Sequence, residues 1–262
     1  MRFLIHFSYD GSSFHGYQTQ PGYRTIQEEL ENAATKINNG EKVKVVASGR
    51  TDKKVHAYHQ VAHLDMNVSI SPKQVKRAMN RYLPSDIHVF EVEEVSSDFH
   101  ARYYVISKTY EYHLNMGEYN PIRRNYCYQH NYKLDIEAMK KAITYFIGTH
   151  DFRAFVTENS IKDNCVRTIT NASITLDDYY KDEIVFTFEG SGFLRYQVRN
   201  MVGLLIKVGT GKIDYKLVKE ILDSKVRGKY GTTAKAEGLY LKNIVLRSWQ
   251  IKRLWYNFNR YI

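Results

Sequence analysis

The chain has 262 residues and a formal net charge of +10, with a pI near 9.3. Its 43% hydrophobic content argues against disorder, and the two cysteines, Cys127 and Cys165, form no CxxC pair, which argues against a zinc ribbon or a disulfide framework. The opening MRFLIHFSYDG is not a signal peptide, because its apolar run is broken by His6 and ends in a polar turn; no stretch approaches a membrane span, so a reducing cytoplasm is the expected setting.

Phe3 to Tyr9 reads as a strand ended by the turn residues Asp10, Gly11, Ser12 and Ser13. A loop with Gly16, Pro21 and Gly22 follows. Thr25 and Glu28 then stand at capping-box spacing before a helix whose apolar face is Ile26, Leu30, Ala33, Ala34 and Ile37. Two strands, Lys42 to Ala47 and His59 to Asp65, flank the segment SGRTDKKVHA, Ser48 to Ala57. Ser71-Pro72 opens a second helix, with Gln74 at the box position and Val75, Met79 and Leu83 facing the core. Pro84 ends it, and Ile87 to Val95 is another strand. The first hundred residues therefore read β-α-β-β-α-β, the ferredoxin-like pattern.

Phe99 to Arg102 is a hinge before a long strand, Tyr103 to Leu114. Asn115 to Asn131 is irregular. Asp135 caps a helix carrying Met139, Ala142, Ile143 and Phe146, which Gly148 to Phe152 closes. Ile169 to Leu176 and Ile184 to Phe188 form a hairpin. Leu194 to Val208 is a helix, Asp214 caps one more through Leu222, and Leu239 to Leu246 is a late strand. This repeats the first half's order of elements. The expectation is an α/β (α+β) chain of two ferredoxin-like halves, 1–102 and 103–262, sharing one antiparallel sheet with helices packed on it.

A basic, tyrosine-rich chain, with 22 Tyr, leans toward RNA or single strands, because tyrosine stacks on an unpaired base and can still hydrogen-bond. Asp52 stands among Arg50, Lys53 and Lys54. Nearby positive charge is expected to lower its pKa and keep it ionised, and an ionised carboxylate on a loop can be a nucleophile; a surface turn with an Asp–Arg pair is the plainer reading. His56, His59 and His63 would share one face of a helix, but on a strand they diverge, so no metal site is expected. Gly209 to Lys212 resembles part of a phosphate loop, yet it follows a helix, and a C-cap by Gly209 accounts for it. Tyr110 and Tyr112 share a strand face, either as packing or with one ring available to a base. Arg195 and Arg199 sit one helical turn apart after two glycines, placed to pair with Asp52, to hold phosphate, or to form a solvated basic face.

These segments, in this order, resemble the tRNA pseudouridine synthase A (TruA) family. Tyr9 to Gln20 is similar to the family's YDGxxFxGWQxQ, and Ser48 to Ala57 to its GRTDxGVHA. NRYLPSDI (Asn80 to Ile87), FHAR (Phe99 to Arg102), Lys108 to Tyr112, THDFRAF (Thr149 to Phe155), Phe193 to Gly203 and Glu237 to Leu241 follow in family order. The resemblance implies a pseudouridine synthase fold, with Asp52 as catalytic nucleophile and Arg199 and Arg50 as its companions. It implies that Tyr110 stacks on the target uracil, with Leu239, Leu241 and Arg195 also at the substrate. It further implies a homodimer without cofactor that isomerises uridines 38, 39 and 40 of the tRNA anticodon stem-loop. The class-level alternative is a non-catalytic RNA-binding protein or tRNA chaperone. Arg24, Arg123, Arg124 and Lys162 are candidates for phosphate contacts. Four positions depart from the family pattern: Tyr17 for Trp, Lys54 for Gly, Gln197 for Met and Lys235 for Pro. If the glycine that Lys54 replaces has positive φ, a cost of order 1 kcal/mol is expected there.

Overall fold

A computed structural model describes residues 1–157, 164–226, 228 and 231–247. Strands β1 (Arg2–Tyr9), β2 (Val45–Ala47), β3 (His56–Asp65) and β4 (Ile87–Val95) enclose helices α1 (Ile26–Ile37) and α2 (Pro72–Tyr82) in the expected β-α-β-β-α-β order. They are followed by β5 (Val105–Asn115), β6 (Tyr128–Gln129), α3 (Ile136–Ile143), β7 (Gly148–Asp151), β8 (Val166–Leu176), β9 (Glu183–Gly190), α4 (Gln197–Gly209), α5 (Leu217–Ser224) and β10 (Leu239–Leu246).

The ten strands make one sheet, with path β4-β1-β3-β10-β5-β9-β8-β7; β2 pairs with β3 and β6 with β5. The first four strands lie in spatial order β4-β1-β3-β2 and β5, β8, β9 and β10 in order β10-β5-β9-β8, so the two halves repeat one topology. They are joined where β10 pairs with β3 at Tyr240–His56 and Leu241–Ala57. That joint is parallel, as is β5–β6, so the shared sheet is mixed rather than wholly antiparallel. Short β2 covers only the Ala62–Leu64 end of β3, which leaves the other end free for β10.

Both halves bury one apolar face under helices. Phe3, Ile5 and Phe7 of β1 are fully buried, as are Leu30 and Ala34 of α1 and Val75 and Met79 of α2; Phe186 and Phe188 of β9 and Met201 and Leu205 of α4 belong to the same continuous core. Ser71 and Gln74 make the expected capping box, and Asp135 accepts from the Ala138 amide. The box at Thr25 does not form, and its buried hydroxyl has no hydrogen-bond partner. The first amides of α1 are satisfied otherwise: Ile26 N–H donates to the Gly16 carbonyl and Gln27 N–H to that of Tyr17, at 3.3 and 2.9 Å. Gly148–Asp151, expected to close α3, is instead an edge strand on β8. Among the described residues, no helix is long and apolar enough to cross a membrane.

Candidate active site

Asp52 lies in the β2–β3 connection, and this loop is built into the fold from three sides. Ser48 N–H donates to the Val61 carbonyl of β3. Tyr17 N–H donates to the Thr51 carbonyl and Lys54 N–H to the Phe14 carbonyl. The 14–22 loop is thus pinned between the N-terminus of α1 and the Asp52 loop. Two glycines make the approach possible. A Cβ on Gly11 would lie 2.0 Å from the Val55 carbonyl oxygen, and Gly16, at φ +98°, would put one 3.0 Å from that of Thr51. The YDGxxFxG spacing therefore serves the Asp52 loop.

The junction strands supply the floor. One row of register crosses the sheet through Tyr9, Ala57, Leu241, Tyr110, Phe188 and Ala172. Residues opposite one another in register share a face, and all six are buried. Tyr9 and Tyr110 flank a smaller pair, Ala57 and Leu241. The Tyr9 hydroxyl is hydrogen-bonded to Thr51 Oγ1 at 2.8 Å. The Tyr110 hydroxyl has no hydrogen-bond partner among the described residues, while its ring meets Phe193 edge-on at 5.2 Å. Burial raises the Tyr110 phenol well above its ordinary pKa, and Tyr9 and the Asp52 carboxylate push it the same way. Tyr110 is therefore a neutral ring with an uncommitted donor.

The wall comes from the start of α4. Arg199 Nη1 is 3.2 Å from Asp52 Oδ2, and Arg199 Nε donates to the Ala234 carbonyl at 2.8 Å. Ala234 N–H donates back to the Arg199 carbonyl, so the guanidinium is fixed by main chain as well as by charge. Arg195 Nε lies 3.8 Å from Asp52 Oδ1 and is 64% exposed, against 14% for Arg199. α4 begins at Gln197, later than expected, so Arg195 and Arg199 are not successive positions on one helical face. Tyr196 between them takes a left-handed conformation, φ 64°, and lies beneath both guanidinium groups, 4.8 and 5.4 Å from its ring centre. A left-handed non-glycine residue costs on the order of 1–2 kcal/mol.

The electrostatics differ from expectation. Burial pushes the Asp52 carboxyl above its ordinary value of 3.8, with Arg199 and then Arg195 opposing. The loop's own cations do not reach it. Arg50 is exposed and pairs with no carboxylate among the described residues, Lys54 is exposed, and Lys53 Nζ meets His15 Nε2 at 3.0 Å. Cation-rich sequence around a carboxylate says little when the side chains fan outward and the carboxylate turns in.

A family model described as tRNA pseudouridine synthase matches residues 5–104 and 142–245. The chain belongs to the tRNA pseudouridine synthase family. It is 43% identical over 246 residues to tRNA pseudouridine synthase A of Streptococcus mutans serotype c, covering 94% of this chain and 98% of that protein. It is 44% identical over 245 residues to the protein of that name from Streptococcus agalactiae serotype Ia, covering 93% and 95%, and 44% over 245 residues to that of Streptococcus pyogenes serotype M1, covering 93% and 98%.

Within this pseudouridine synthase chain, Asp52, Arg199, Arg195, Tyr110 and Leu241 meet at the junction, whereas Leu239 lies opposite Tyr112, two residues before Leu241 at the start of β10. Tyr112 is committed to packing: it is fully buried and its hydroxyl donates to the Lys235 carbonyl. His56, His59 and His63 go separate ways, to Gly11 N–H and the Asn125 carbonyl, to His6 and Asn243, and to Ala101 N–H. Of the phosphate candidates, Arg24 is taken by Glu29 and Asp86 and Arg123 by Glu183, because each has carboxylates within 3 Å. Arg124 is exposed, and Lys162 lies outside the described residues. Lys54 has φ 65°, so the left-handed conformation the glycine would tolerate is present. Lys235 holds φ −58°, within proline's range. Sequence reasoning missed Tyr9, Ala57 and Tyr196. The first two become legible only through strand register, and no local signal marks Tyr196.

Proposed function

We propose that this chain isomerises uridine to pseudouridine in tRNA, at positions 38, 39 and 40 of the anticodon stem-loop, with Asp52 as the nucleophile. The observation that carries the reading is a carboxylate only 18% exposed and gripped by Arg199, beside a buried tyrosine whose hydroxyl is uncommitted. The reaction breaks the C1′–N1 bond, turns the uracil and joins C1′ to C5. The C5 proton leaves and N1 is protonated, so atoms balance without a redox or energy-supplying partner. Asp52 attacks C1′ or C6, or takes the ribose 2′ proton; the same pocket serves each route.

Burial makes Asp52 more basic than an ordinary aspartate, while Arg199 keeps it aimed. Tyr110 supplies stacking worth about 1–3 kcal/mol and a neutral hydroxyl. Leu241, opposite Tyr110, lines the base pocket, and Leu239 packs behind it opposite Tyr112. Arg195, largely exposed yet within reach of Asp52, joins the carboxylate to incoming phosphate. Arg50 and Arg124 are both exposed, and among the described residues Arg124 is bonded only to the Pro121 carbonyl, at 2.7 Å, so both suit phosphate contacts that offset the few kcal/mol needed to flip the target base. In this reading residues 1–102 carry the carboxylate and 103–262 the tyrosine and arginines, and the protein works as a cytoplasmic homodimer without cofactor.

The test is tritium release from tRNA labelled at uridine C5, across tRNAs with uridine at each of the three positions. Release from those tRNAs is expected. Tight tRNA binding with no release would overturn the assignment in favour of a chaperone.

A further inference from the structure

Lys108 lies on β5 two residues before Tyr110 and is not used in the mechanism above. Register sets it opposite Gly190 of β9 and Ile244 of β10. Its ammonium donates to the Ser48 carbonyl at 3.0 Å, and no carboxylate pairs with it among the described residues. Burial, with Arg102 adding to it, lowers its pKa to about 8. A desolvated cation with only a carbonyl for partner is costly, and replacing it with an apolar chain would remove that cost.

The position of this bond gives the lysine its use. The Ser48–Gly49 end of the Asp52 loop is tied to β3 by three bonds: Ser48 N–H to the Val61 carbonyl, Ser48 Oγ to Gln60 Oε1 at 2.7 Å, and Gln60 Nε2 to the Gly49 carbonyl at 3.2 Å. All three lie within the first half of the chain. The Lys108 bond joins that same end to the strand that carries Tyr110. A Cβ at residue 49 would stand 2.4 Å from Nζ, so a side chain there would push the end of the lysine away from the Ser48 carbonyl.

We infer that Lys108 is a positioning residue, which acts through the Ser48 carbonyl to set the Asp52 loop at its working distance from the strand bearing Tyr110. The inference rests on the proposed function. A charge-assisted bond to a carbonyl is among the stronger hydrogen bonds, and a displacement of about 1 Å at a reacting group can cost about 100-fold in rate.

Two variants of the full chain address it from opposite sides. Lys108→Met removes the donor. Gly49→Ala keeps the lysine but puts a methyl 2.4 Å from its ammonium, which must move away. Each is expected to lower kcat for tritium release about 10- to 100-fold, with KM for tRNA within about twofold. The double variant should be no slower than the worse single one, because both break the same hydrogen bond. Wild-type kcat in Lys108→Met would overturn the inference. So would a raised KM at unchanged kcat, which would make Lys108 an RNA-binding residue, or multiplied losses in the double variant. Should Lys108→Met fail to fold, Gly49→Ala alone decides by the same split of kcat against KM. No release by the wild-type protein would instead bring down the proposed function beneath it.

Discussion

The two halves share a topology, yet their equivalent β-β connections differ sharply. The β2–β3 connection holds Asp52, and Ser48, Thr51 and Val55 around it are buried. The β8–β9 connection holds Asp177, followed by five exposed residues, 178–182. Asp177 spends one oxygen on the amides of Tyr179 and Tyr180, at 2.9 and 3.0 Å. Burial alone would raise its pKa, but those amides, with His113 and Arg123, bring it below the ordinary value. The Asp52 carboxylate accepts from no main-chain amide among the described residues and is shifted the other way. An aspartate saturated by its own turn stabilises that turn. One turned inward against a fixed arginine, with a second, exposed arginine further off, remains available for chemistry. Tyr9 and Tyr110 repeat the contrast: they occupy one sheet row on the equivalent first strands, but the Tyr9 hydroxyl is tied to Thr51 and that of Tyr110 is uncommitted.

Short of the carboxylate itself, the largest effect belongs to Arg199. Arg199→Met should lower kcat about 10²–10³-fold, the scale of removing one electrostatic stabiliser from a closed site. The cation favours the ionised form, so its removal should move the acid limb of the pH–rate profile to higher pH; movement to lower pH would contradict the pairing. The tyrosines come next. Tyr110→Phe should slow turnover about 10- to 100-fold with little change in melting temperature. Tyr9→Phe should do the reverse, costing about 1 kcal/mol of stability with kcat within about twofold. Equal effects of the two substitutions on kcat would erase the distinction drawn between them. Smallest is Lys54→Gly. It relieves a left-handed lysine and should raise stability by up to about 1 kcal/mol, or a few degrees in melting temperature for a chain of this size. A lower melting temperature would show that the lysine makes compensating interactions.

Much of this was legible in the chain itself. Period-two and helical patterning place nearly every strand and helix, because each half buries a single apolar face. The order of motifs points to Asp52, Tyr110 and Arg199 together. Sequence could not show that Thr25 leaves its cap to the carbonyls of Gly16 and Tyr17, because that depends on a loop folding back. Nor could it show that burial, rather than Arg50, Lys53 and Lys54, governs Asp52, since the direction a side chain takes from a loop is a tertiary property. The parallel joint of β3 with β10, which sets Ala57 beside Leu241, pairs residues 184 positions apart in sequence and has no local signature.

The central claim is that only the carboxylate at the junction does the chemistry. It is tested most directly by measuring C5-tritium release and tRNA binding together for Asp52→Ala, with Asp177→Ala as its counterpart. The account predicts that Asp52→Ala binds tRNA and releases no tritium, a loss of roughly 10⁴-fold or more, the scale of removing a nucleophile, while Asp177→Ala turns over at the wild-type rate. Undiminished release by Asp52→Ala would contradict it.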